Sequence, residues 1–191
     1  PYFKSRSEVS LFIKMVNGRA KTCLLLETAE AVEKIDSILS VDGIDYVHIG
    51  LNDLHLSYNL KFMFEPLADG TVDLLCGRMK EKGLVYGFGG IAQIGKGMLP
   101  AENILAEHYR LGSSMAILSR SFCNAINEDD LEKIEHLFTD GVARIRKYER
   151  EIARQDQVFF KTNRKVVSEK VAAISRSLQV KLVQQPAVNQ K

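Results

Sequence analysis

The sequence predicts an α/β fold built around a parallel sheet, on three observations. Four short apolar runs begin near residues 22, 44, 84 and 114. Segments of helical period separate them, and the runs lack the alternation of a half-exposed strand, as parallel strands buried on both faces require. The first two runs also lead directly to acids, Glu27 at the end of one and Asp53 just beyond the other. Right-handed crossovers in series give either an open doubly wound sheet or a closed (β/α)₈ barrel. In both, the C-terminal strand ends carry the functional face.

Taken in order, Ser5 or Ser7 caps a helix over 8–17, whose Val9, Phe12, Ile13 and Val16 share a stripe, and Gly18 stops it. A strand over 22–27 ends at Glu27. Thr28 caps a helix over 29–40 with Ala31, Val32, Ile35, Ile38 and Leu39 on its core face. Asp42-Gly43 turns the chain into a strand over 44–49, which ends in the turn Gly50-Leu51-Asn52-Asp53. Residues 51–69 read as a long apolar loop with room for a short helix, which either shapes a site or an interface or packs as a satellite of the core. A helix over 71–82, a strand over 84–88 and a helix from Pro100 to about residue 110 follow, then a strand over 114–118.

The glycine-rich segment after the third strand contains two near-motifs. Gly87-Phe88-Gly89-Gly90-Ile91-Ala92 fits a dinucleotide fingerprint, but no helix opens there and no acid follows at the end of a next strand. Gly90 to Lys96 fits a P-loop, but Gly97 stands where a Ser or Thr is required. We expect these glycines to form a tight loop that lets backbone approach a small substrate.

From residue 127 the composition changes. Asn127 is positioned to cap a long helix with Leu131, Ile134, Leu137, Phe138, Val142, Ile145 and Ile152 in phase, and a second amphipathic segment spans 164–178. The expected organisation is an α/β unit over 1–126, a helical extension over 127–180 that packs on the domain or on another subunit, and a disordered tail over 181–191.

The balance of 26 basic and 24 acidic residues, net charge +2, argues against a nucleic-acid footprint. No apolar run approaches the ~20 residues of a bilayer span. Cys23, Cys76 and Cys123 are an odd set without CxxC spacing, as expected of reduced, buried thiols in a cytoplasmic protein. His108 and His136 are expected on helix surfaces, and His48 on the opposite side of its strand from Val47 and Ile49. Glu27 and Asp53 are the strongest chemical signal, because adjacent parallel strands lie roughly 4.8 Å apart and two acids at their ends repel unless a hard divalent cation lies between them. The plainer alternatives make Glu27 a helix-capping carboxylate and Asp53 a turn residue. His55, two residues beyond Asp53, is a further candidate for contact with substrate or with a metal-bound water.

The stretch LLLETAEAVEKIDSILSVDGIDYVHIGLNDLH resembles the core of the HpcH/HpaI aldolase/citrate lyase family, in which one strand ends in an ET-type motif and the next in G-P-N-D-L-S. The resemblance runs on through LGSSMAILSRSF and covers roughly residues 1–125. It implies a (β/α)₈ barrel, in which Glu27 and Asp53 hold Mg²⁺ or Mn²⁺ and the backbone of Gly50, Leu51, Asn52 and Asp53 cradles a substrate carboxylate. The implied activity is that of a metal-dependent aldolase or lyase acting on a pyruvate-like 2-oxo acid through a metal-stabilised enolate. Leu51 and His55 depart from the family pattern, which has Pro and Ser there, and Leu25 stands where many relatives have a polar residue. Only four or five of eight strands are present, so the family's arginine and base would lie in a preceding barrel half, and the chain is expected to be part of a longer enzyme. In relatives the last helix exchanges between subunits, which implies a homo-oligomer contact through Leu131, Ile134, Leu137 and Phe138. The alternative is a non-catalytic half-barrel that works as an assembly module.

Overall fold

A computed structural model describes residues 2–122 and 130–184 of the chain. Its centre is a four-stranded parallel sheet of β1 (Cys23–Leu26), β2 (Tyr46–Ile49), β3 (Val85–Ile91) and β4 (Met115–Leu118), in that spatial order. A doubly wound sheet reverses its strand order at a switch point. This sheet does not reverse, so right-handed crossovers place its helices on one face, as in a barrel wall. Leu24, Leu26, Val47, Ile49, Tyr86 and Phe88 are buried toward the helices, in one core with Ile35, Ile38, Leu75, Met79 and Ile104. The other face is thinly covered: Val85 and Ile117 are exposed, and Leu25 and Tyr46 half-buried. Beyond β1, Tyr2 forms a parallel bridge with Leu25, the end of the fifth strand that the sequence suggested.

The helices are α1 (Arg6–Val16), α2 (Ala29–Glu33), α3 (Ile35–Ile38), α4 (Leu51–Ser57), α5 (Glu65–Ala68), α6 (Thr71–Glu81), α7 (Ala101–Leu111), α8 (Leu131–Ile152) and α9 (Gln157–Gln184). Ser5 caps α1 in a reciprocal box with Glu8. The single helix expected over 29–40 breaks at Lys34, which ends α2 and begins α3. The loop expected over 51–69 contains two helices instead. Leu51, Leu54, Phe62, Phe64 and Leu67 are buried in the core, while Leu56 and Tyr58 remain exposed.

The glycines of β3 serve the sheet itself. Between Gly87 and Gly90 the strand gains one residue against β4, a bulge in which Gly89 takes φ +54°. A Cβ on Gly87 would lie within van der Waals overlap of the Met115 carbonyl, and one on Gly89 would sit 3.0 Å from Leu51 Cδ1. Their smallness thus admits neighbouring strand and helix rather than a substrate. Beyond the bulge, the Gln93 backbone N–H donates to Ser121 Oγ at 3.0 Å and joins the loops that follow β3 and β4.

Two further expectations are corrected. Cys23 is exposed on the open face, although Cys76 is buried and its thiol pushed up to about 12 by desolvation; Cys123 lies outside the described residues. His108 is buried rather than superficial: its ring stacks on Phe88 at 3.8 Å and its Nδ1 pairs with Ser113 Oγ at 2.7 Å. His136 is exposed as expected.

The cap expected at Asn127 also lies outside the described residues; Asp130 Oδ1 accepts from Lys133 N and caps α8. The second extension helix is longer than the sequence suggested and runs to Gln184, into the expected disordered tail. It lies against α5 and α7 of its own chain through a polar cluster. Glu107, fully buried, accepts from Arg110 at 2.6 Å and from Asn163 Nδ2 at 2.9 Å. Asp73 pairs with Arg110 at 2.8 Å and with Arg164 at 3.0 Å.

Candidate functional site

β1 and β2 run in register, Leu26 opposite Ile49, so the next residues, Glu27 and Gly50, leave the sheet side by side. Gly50 N still donates to Leu26 O at 2.9 Å, which carries the ladder one step past the strand. Parity puts Glu27 on the same face as Leu25, away from the helices. Gly50 is required at its place: a Cβ there would lie 2.9 Å from Glu27 Oε2, 3.1 Å from Glu27 Cβ and 3.3 Å from Leu25 Cδ1.

The segment read as a turn, Gly50 to Asp53, is the start of α4. Gly50 occupies the N-cap without a side-chain bond, and Leu54 N donates to Gly50 O at 3.0 Å. Asp53 therefore stands in the first helical turn, where the helix dipole favours a negative charge. Leu51 turns its side chain into the core, so only its backbone is available to a ligand, while Asn52 and Asp53 are exposed.

The two acids meet. Burial, then the negative charge and neighbouring carboxyl of Asp53, hold the Glu27 carboxyl above its ordinary range. No Lys or Arg pairs with either acid among the described residues. Glu27 does not cap the following helix; Thr28 does, its Oγ1 accepting from Ala31 N at 3.1 Å. Two carboxylates that repel, with no Lys or Arg between them among the described residues, suit a hard divalent cation that completes its shell with water and ligand oxygens. No cluster of three or more His, Cys, Asp and Glu able to hold a metal occurs among the described residues, so a cation here would draw two protein carboxylates.

His55 faces away from this arrangement. It is buried in α4 and its Nδ1 is 3.2 Å from Leu51 O, one helical turn back. His48 lies one residue before Ile49, on the inner-face parity and one layer below Glu27 and Gly50. It is buried, its pKa is lowered by desolvation, and its Nε2 has no partner among the described residues. A residue that the sequence reading missed is Ser57: its Oγ accepts from Ala29 N at 2.9 Å and ties the far end of α4 to the start of α2. That bond holds the helix bearing Asp53 against the strand end bearing Glu27. A lone serine four residues past an acid gives no sequence signal of such a role.

Among the described residues, no helix is long and apolar enough to cross a membrane. No protein-family model and no curated protein matches the chain. Solved structures similar to it include an HpcH/HpaI aldolase from Desulfitobacterium hafniense DCB-2, at TM-score 0.43 and 21% identity, and an HpcH/HpaI aldolase/citrate lyase family protein from Burkholderia cenocepacia J2315, at TM-score 0.43 and 16% identity. Each match covers 71% of this chain and 46% of the other, so the chain spans less than half the length of either structure.

Proposed function

We propose that this chain carries the metal-holding part of a divalent-metal-dependent aldolase or lyase that acts on a pyruvate-like 2-oxo acid. The observation that carries this reading is the meeting of Glu27 and Asp53 at adjacent strand ends with no cationic partner among the described residues. The resemblance of the two acid-bearing motifs to the HpcH/HpaI family supports it. Glu27 and Asp53 would hold Mg²⁺ or Mn²⁺, and Gly50, by lacking a Cβ, lets the Glu27 side chain take its place against the turn. When bound, such an ion polarises a keto oxygen and stabilises negative charge developing there. The first-turn N–H groups of α4, at Leu51, Asn52 and Asp53, have no intrahelical carbonyl to bond and are available to a substrate carboxylate. The thinly covered inner face would be closed by further strands, and an arginine and a base for the reaction would come with them.

Mn²⁺ titration of the full-length protein followed by electron paramagnetic resonance, beside an oxaloacetate decarboxylation assay, tests the proposal. Glu27→Ala and Asp53→Ala should each weaken Mn²⁺ binding by about tenfold or more and remove the decarboxylation. Unchanged Mn²⁺ binding in both variants would overturn the reading and leave the half-barrel as an assembly module.

A further inference from the structure

We propose that the groove between α1 and α3 binds a phosphate-bearing small molecule. The groove, of about 730 Å³, is lined by Arg6, Ser7, Ser10 and Lys14 on one side and by Lys34 and Ser37 on the other, and no carboxylate lines it. Residues 6, 7, 10 and 14 fall on one side of a helix, as do 34 and 37. Their convergence therefore follows from the packing of two helices.

The three cations are free to take an anion. None has an ion pair among the described residues, whereas nearby Lys4 is matched by Glu30 at 3.0 Å and Lys21 by Asp45 at 2.6 Å. Arg6 Nε donates to Ser40 Oγ at 3.2 Å, which holds the guanidinium across the gap and leaves its terminal nitrogens without a protein acceptor. Ser10 makes no side-chain hydrogen bond among the described residues, and Ser37 Oγ, which donates to Lys34 O at 2.9 Å, keeps its lone pairs. A guanidinium fork, two ammonium groups and several hydroxyls form a donor set suited to tetrahedral phosphate oxygens, and three clustered positive charges raise the local concentration of anions. Leu11, 59% exposed along the same wall, offers a surface for the organic part of a phosphoester. The groove lies in the helix layer, away from the inner face that bears Glu27, so this inference stands apart from the aldolase reading.

Amide chemical shifts of the full chain, titrated with sodium pyrophosphate at low ionic strength and with sodium chloride at matched ionic strength, provide the test. Exposed ion pairs are individually weak, so saturation is expected at about millimolar pyrophosphate, centred on Ser7, Ser10, Lys14, Lys34 and Ser37. The combined variant Arg6→Gln, Lys14→Gln, Lys34→Gln should weaken binding by about tenfold or more, with an unchanged circular dichroism spectrum. Vesicles containing phosphatidic acid distinguish a free from a lipid-borne phosphate: failure to sediment the protein supports the small molecule, and sedimentation that pyrophosphate does not reverse overturns it. Shifts no larger than those with chloride, or insensitive to the triple variant, would likewise overturn it.

Discussion

Glu27 and Asp53 depend on a residue with no side chain. A methyl group at Gly50 would press on Glu27 Oε2 at 2.9 Å. Gly50→Ala is accordingly expected to lower Mn²⁺ affinity by about tenfold or more while both carboxylates remain, read in the same titration as the wild type. The raised Glu27 pKa has its own signature in the metal-free protein. Its charged form is disfavoured in the folded state, so ionisation costs stability as pH rises through the ordinary carboxylate value of 4.5 and beyond. Glu27→Gln should therefore raise the melting temperature at pH 7, and the gain should vanish below pH 4.5, where the acid is protonated folded or unfolded. His108 works in the opposite direction. Burial, then the charge of His48, lower it from 6.5 to about 3, so the unfolded chain binds a proton that the folded one refuses. Stability should fall as pH drops below 6.5, and His108→Phe should flatten that part of a urea-midpoint profile. The acids stood out in the sequence because strand ends in parallel folds are few, and Glu27 closes one strand while Asp53 lies just beyond the next. The burial of His108 was not, because its stacking partner, Phe88, lies 20 residues away on another element.

At the scale of elements, periodicity located the start of every strand within about two residues, because β-runs with no polar interruption have few other places to go, whereas β3 runs three residues past its expected end, through the glycine-rich bulge. Helices were harder to bound where core packing overrode local signals. Residues 51–69 read as a loop since Gly50 opens them and no side-chain cap marks the start of α4, yet burial of Leu51, Leu54 and Leu67 fixes two helices there. The apolar stripe of α9 was legible, and Val167 and Val171 are buried in the core, but the polar contacts that accompany it were not, since Asp73, Glu107, Arg110, Asn163 and Arg164 come from three helices. Glu107 is its centre. Glu107→Ala would leave Asn163 without its acceptor while Arg110 keeps Asp73, and a buried donor left unsatisfied costs about 1–3 kcal/mol, measurable by urea unfolding. α8 offers a contrasting test. Gly141 lies so close to Phe122 that a Cβ would meet its ring at 2.6 Å, and Gly141→Ala should cost about 1–3 kcal/mol by overpacking.

At the scale of the molecule, apolar groups are left uncovered at two places among the described residues. One is the inner sheet face with Val85, Ile117 and the outer edge of β4; the other is the first half of α8, where Leu131 is 78% exposed and Leu137 and Phe138 lie beside it, more than a third exposed. We propose the second as a contact with another copy: light scattering at micromolar concentration should report an oligomer that Phe138→Glu dissociates, and a wild-type monomer would count against it. The sequence identified this stripe and left open whether the second helix packs on the domain or on another subunit; α9 lies against its own domain. The strand order carries one more consequence. Among the described strands, β2, β3 and β4 each pair with the strand before them, so each contact closes a loop of a few tens of residues. A nascent chain emerging from the ribosome could add strand and helix units to a growing edge one after another, with synthesis itself setting the order of assembly.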